Sequence, residues 1–202
     1  MAVQLTDVFS DSDVDRSVQV IYRGDFSRVA GAAAEEHKTL RKYLVATDMS
    51  EHSAHALEWA VGTVLRDGDT LVVVRCLDPE NDDGGGGGAA AGQGQGRSSS
   101  ISALASALGS GGSAGNDSAS ASSGPDRLEG INADRKEGER RAVVDDLTAR
   151  VSRLLRRTKL QVRVIVEVIH CRNPKHLVLE MIDFIKPTLV ILGSRGRSAI
   201  KG

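Results

Sequence analysis

Apolar and polar positions along this chain change period several times, and each change marks an element. KYLVATD, residues 42–48, is a short, apolar, β-rich run. EHSAHALEWAVGTVL follows and places Leu57, Ala60, Val61, Val64 and Leu65 on one helical stripe. Ser50 stands before that stripe as a natural N-cap. DGD makes a turn, and TLVVVRCLD, residues 70–78, predicts a second strand. ADRKEGERRAVVDDLTARVSRLLRRT reads as a long helix with Val144, Leu147, Val151 and Leu154 on its buried face. Its many Arg and Asp residues are expected on the solvated face. LQVRVIVEVIH, residues 160–170, predicts a third strand. Val162, Val164, Val166 and Val168 alternate there with Arg163, Ile165, Glu167 and Ile169. Two charges on one side predict an edge strand. Asn173-Pro174 starts another helix, with Asn as cap and Pro at the first position. Leu177, Val178, Met181, Ile182 and Ile185 form its stripe, Lys186-Pro187 stops it, and TLVILGS is the fourth strand.

The order is therefore β-α-β-α-β-α-β. Strands separated by helices run parallel, because each crossover returns the chain to the same end of the sheet. Right-handed crossovers give an open, doubly wound parallel sheet. Ligands bind such sheets at the carboxyl ends of the strands, where strand order reverses. Four stretches lie there: ATDMS, RCLD, IHCRN and LGSRG.

Composition divides the chain further. Residues 1–37 are weakly patterned and predict a weakly ordered N-terminal extension; VQVIY alone suggests a short strand. Residues 81–130 are rich in Gly, Ser and Ala and cannot bury enough apolar surface to offset their ordering entropy. A disordered insert is expected there, interrupting one domain over 38–202. Lys+Arg number 26 and Asp+Glu 27. That balance gives no reason to expect a nucleic-acid partner or a membrane surface. No apolar run approaches the ~18 residues of a transmembrane helix, and the acidic N-terminus lacks a signal pattern. These features predict a soluble, cytoplasmic protein. Cys76 and Cys171 are the only cysteines, and the expectation is two buried thiols rather than a disulfide framework.

The four stretches carry limited chemistry. In LGSRGRS, Gly193 and Gly196 follow a strand, Ser194 and Ser198 add hydroxyls, and Arg195 and Arg197 add charge. The loop is either an anion nest for phosphate or a plain strand-to-helix turn. It fits neither a P-loop nor a dinucleotide fingerprint. Asp48, at the end of the first strand, can accept from ribose hydroxyls or cap the next helix. A receiver domain is excluded, because Asp48 follows Thr47 and the third strand ends in His170-Cys171. His52 and His55 are expected on an exposed helix face. Neither they nor His170, Cys171 and His176 supply a convincing four-ligand zinc site, and no metal ligand or catalytic residue is assigned.

YLVATDMSEHSAHALEWAV, TLVVVRCLD and TLVILGSRGRSAIKG together resemble the universal stress protein family, over about residues 40–80 and 131–202. The low-complexity insertion resembles that of fungal-type members. The resemblance implies a Rossmann-like sheet of the adenine nucleotide alpha hydrolase type, in the order 3-2-1-4-5. It implies an ATP or AMP pocket, with or without Mg. Ala46 and Asp48 would contact adenine and ribose, and Cys76 would touch adenine through its backbone. Leu192, Gly193, Gly196 and Ser198 would line the ribose-phosphate side. It also implies a homodimer for the full-length protein, and stress response or signalling without a dedicated turnover reaction.

Two other functions fit the same architecture: a slow ATPase or adenylyl-transferring enzyme, and a nucleotide-free interaction protein using the insert as a docking tail. The ATP-binding branch of the family carries G-x2-G-x9-G-[ST] after the fourth strand. Gly193 and Gly196 match its first two glycines, and the third would lie about four residues beyond Gly202. The expectation is a C-terminally truncated chain without the fifth strand, self-associating through TLVILG and binding ATP weakly or not at all.

Overall fold

The computed structural model describes residues 2–79 and 126–193, with side chains from 132 onward in the second segment. Four parallel strands form one side of the sheet. They are β4 (Lys42–Ala46), β5 (Thr70–Leu77), β6 (Val162–His170) and β7 (Leu189–Leu192). Their spatial order is β6-β5-β4-β7, which is the expected 3-2-1-4 arrangement.

The N-terminal residues do not form a loose extension. They build β1 (Val3–Leu5), β2 (Phe9–Asp11), β3 (Arg16–Arg23) and helix α1 (Phe26–Glu35). β3 pairs antiparallel with β6 along its whole length, from Arg16↔Ile169 to Arg23↔Val162. β1 and β2 lie end to end on the other side of β3. β6 is therefore an interior strand, not the expected edge. Of the two charges that suggested an edge, Arg163 and Glu167, Glu167 is buried against Arg16, with Arg16 Nε 2.7 Å from Glu167 Oε1. A buried carboxylate needs a partner, and the partner comes from the segment with the weakest sequence pattern.

Two helical layers cover the sheet. On one face lie α2 (Glu51–Trp59), a π-helical turn (Ala60–Val64) and α3 (Asp126–Arg156). The stripe read over 51–65 thus changes helical type at Ala60, while Leu57, Ala60, Val61 and Leu65 stay buried. α3 starts inside the stretch read as low complexity. The rest of that insert lies outside the described residues. Val144, Leu147 and Val151 are buried as expected, and Leu155, rather than Leu154, completes the row. One α3 cation is not solvated: Arg140 is fully buried and bonded to Asp15, Ser17 and His170. On the other face, α4 (Pro174–Ile185) buries Leu177, Met181 and Ile185 over β4 and β5. Burying each such side chain stabilises the fold by about 1.5–3 kcal/mol. Asn173 caps α4 by accepting from the His176 N–H, and Lys186 ends it in a left-handed conformation.

α2 leaves the end of β4 on one face, and α4 enters β7 on the opposite face. The carboxyl ends of β4 and β7 are therefore the point where the winding reverses.

Candidate functional site

Register builds the floor of a site at that point. Ala46 pairs with Leu192 on one side and with Val74 on the other. All three face α4, and Cys76 follows Val74 by two residues on the same face. Beyond Ala46, the Thr47 N–H donates to the Val74 carbonyl and prolongs the ladder by one step. The chain then turns sharply. Met49 adopts φ 65, its N–H donates to Thr47 Oγ1, and the Ser50 N–H donates to Asp48 Oδ1. Ser50 caps α2 by accepting from the Ser53 N–H. Thr47 Oγ1 donates to Ser53 Oγ at 3.0 Å, which pins the turn to the helix. Asp48 is thus a turn-forming residue whose carboxylate stands at the solvent edge.

Gly193 closes the other side. A Cβ there would lie 2.4 Å from Ser53 Cα and 2.6 Å from Ser53 N. The glycine is demanded by this approach to α2, not by a left-handed turn, since its φ is ordinary.

A cleft of about 400 Å³ opens between these strand ends and the start of α4. Ala46, Asp48, Cys76, Leu192 and Gly193 all line it, so the five described site residues meet at one place. Gly196 and Ser198 lie outside the described residues. Sequence reading missed Val74 and the far wall, Pro174, Lys175, Leu177 and Val178, which α4 contributes. The strand-end rule points to IHCRN, whereas Leu177 and Val178 read in the sequence only as part of a helical stripe. Arg75, also on the lining, donates toward the Thr47 carbonyl at 3.5 Å.

The cysteines differ from expectation. Cys76 and Cys171 form a disulfide, with Cα atoms 5.8 Å apart, inside the range that bridges require. They are 95 residues apart in sequence, and only the parallel pairing of β5 with β6 brings them together. The bond borders a second cleft of about 250 Å³, lined by Arg75, Asp78, Glu139 and Arg172 among others. His52 and His55 are exposed, as expected. His170 is buried between Arg140 and Glu139. Among the described residues, no helix is long and apolar enough to cross a membrane.

The sequence model of the universal stress protein family matches residues 39–202. An uncharacterised protein of Schizosaccharomyces pombe is 35% identical over 191 residues. That match covers 93% of this chain, so it reaches into the segment before residue 39, but the chain spans only 23% of the relative's length. Among solved structures, the crystal structure of a protein from the universal stress protein family from Burkholderia pseudomallei is similar at 21% identity. It covers 76% of this chain and 81% of that one, with a TM-score of 0.35.

Proposed function

The chain belongs to the universal stress protein family, and on that premise we propose that its larger cleft binds an adenine nucleotide, ATP or AMP. The module is stress-related. Our reading adds that it senses nucleotide in the cytoplasm without a dedicated turnover reaction.

The observation that supports this is the convergence of Ala46, Asp48, Cys76, Leu192 and Gly193 on one cleft of about 400 Å³. That volume is within the range of small-molecule sites. The residues suit the ligand. Ala46, Val74 and Leu192 offer an apolar surface for a base. The Asp48 carboxylate would accept from ribose hydroxyls at the rim. Lys175, exposed in the first turn of α4, would meet phosphate charge. Mg would accompany a triphosphate. For the full-length protein we extend the reading to a pair of copies meeting near β7, where Trp59, Leu189 and Leu192 are exposed.

Calorimetry with ATP and AMP tests the site. Asp48→Asn is the informative variant, because an amide oxygen can still accept the Ser50 N–H while the charge is lost. We expect it to weaken binding roughly tenfold, the equivalent of one charge-assisted hydrogen bond. Equal affinity in wild type and Asp48→Asn would remove Asp48 from the site, and absence of binding to either nucleotide would defeat the reading.

A further inference from the structure

Cys76 and Cys171 stand where the two clefts meet. Cys76 lines both, and Cys171 lines the smaller one beside Arg172. Cys76 belongs to the floor of the larger cleft. Cys171 lies just past the last residue of β6, two positions before Asn173, the cap of α4. The opening turns of α4 are that cleft's far wall. The bond between the cysteines therefore joins floor to wall.

We propose that Cys76–Cys171 is a thiol–disulfide exchange site for low-molecular-weight thiols of the glutathione class, and that its redox state sets how firmly the first turns of α4 are held. Three observations support it. Both cysteines are half-buried, and both border a cleft of about 250 Å³ that a small thiol can enter. Arg75 and Arg172 line that cleft and α4 presents its N-terminus there, features that favour a thiolate. Asp78 and Glu139 line it too and oppose that effect, so the favoured thiolate is Cys171, which is next to Arg172 and nearest the helix start. Lastly, breaking the bond does not dismantle the sheet. β5 and β6 share eight register pairs, and the Cys171 N–H still donates to the Leu77 carbonyl. Only the connection into α4 loses its covalent anchor.

Closure of the bond balances as follows. The Cys171 thiolate attacks one sulfur of a small disulfide, whose S–S bond breaks and releases one small thiolate. A mixed disulfide remains on Cys171. Cys76 gives its proton to solvent and attacks the Cys171 sulfur, expelling the second small thiolate. Two protein thiols are oxidised, and one small disulfide is reduced to two thiols. Reduction is the reverse. In a compartment that keeps thiols reduced, such as the cytoplasm proposed above, protein disulfides are characteristically transient and redox-responsive.

The exchange does not depend on nucleotide. Only its effect on affinity rests on the proposed adenine site. The 202-residue chain is equilibrated in glutathione buffers from fully reduced to fully oxidised, quenched in acid, alkylated and weighed. We expect both thiols to convert together and reversibly between the two extremes. A pair that stays closed in the most reducing native buffer, or open in the most oxidising one, would overturn the proposal. In Cys76→Ser, Cys171 should take up one glutathione several-fold faster than Cys76 does in Cys171→Ser; equal rates would refute the assignment of the attacking thiol. Hydrogen exchange on the wild-type chain should speed several-fold at 175–178 on reduction and stay unchanged in β4–β6. Acceleration throughout the sheet, or none at 175–178, would show that the bond does not act on α4. ATP titration in both redox states separates the two readings. No binding in either state defeats the nucleotide site and leaves the exchange site standing. Binding that is identical in both states removes the coupling between them.

Discussion

Gly193 lies against Ser53 so closely that a side chain on the glycine would enter the backbone of α2. The atoms it would meet, Ser53 Cα, Ser53 N and His52 C, are main-chain atoms and cannot swing aside. Gly193→Ala must therefore shift either β7 or α2. We expect a loss of roughly 1–3 kcal/mol, the usual range for overpacking, read from chemical unfolding. A wild-type midpoint in Gly193→Ala would show that the strand end moves freely.

Arg16 and Glu167 are each only 1% exposed. Burial pushes the Glu167 carboxyl up to about 7, while the Arg16 guanidinium pulls it back down. The folded value then lies above the ordinary 4.5, so the folded state holds the proton more tightly. Its contribution to stability is complete below pH 4.5 and is lost as pH rises through about 7. The unfolding free energy of wild type minus that of Glu167→Gln should fall across this window, by on the order of 1 kcal/mol per pH unit, and level off above it. Urea titrations at stepped pH provide the measurement; a difference that grows with pH would mean that Arg16 outweighs burial.

Asp15 and Arg140 make an unequal pair. The Arg140 side chain is fully buried, while that of Asp15 is 35% exposed. Arg140 Nη1 also donates to His170 Nδ1, which leaves the ring proton on Nε2, facing Glu139. Removing the carboxylate strands a buried cation, whereas removing the cation leaves an acid that water can reach. Asp15→Asn, which tolerates the left-handed φ of 49 at this position, should cost roughly 2–3 kcal/mol. Arg140→Met should cost less. The reverse order in thermal or urea unfolding would contradict this account.

A chain beginning at residue 38, close to where the family match starts, should fail. It lacks β1–β3, so it exposes the outer edge of β6 and leaves Glu167 without Arg16. Such an edge pairs with other chains. Gel filtration should show aggregates, and a monomer with cooperative unfolding would disprove the structural role of the N-terminal strands.

The elements legible in the sequence are those whose pattern is local. Leu57, Ala60, Val61 and Leu65 repeat at helical spacing. Ser50 and Asn173 announce their helices, and the valines of β6 alternate; the structure keeps all of these. Asp48 and Gly193 were found from their places at strand ends. What was not legible depends on remote partners. Glu167 looks like an edge residue until Arg16 is set beside it, and nothing near VQVIY shows that β6 will cover it. Arg140 looks solvated because its acceptors, Asp15, Ser17 and His170, come from the turn before β3, from β3 and from β6. Cys76 and Cys171 give no local sign of pairing, because strand adjacency, not spacing, brings them together.

The pairing of β3 with β6 also governs the order of events during synthesis. β3 ends at Arg23 and its partner begins at Val162. A ribosome making about 5–20 residues per second needs roughly 7–28 s to cover the interval. Throughout that time β3 has apolar residues and open backbone groups but no long partner. This step brings one of the first segments made onto a late one, a pairing of high sequence separation and correspondingly slow formation. A nascent chain of this protein is therefore vulnerable early and becomes secure late, when β6 emerges and β3 pairs with it.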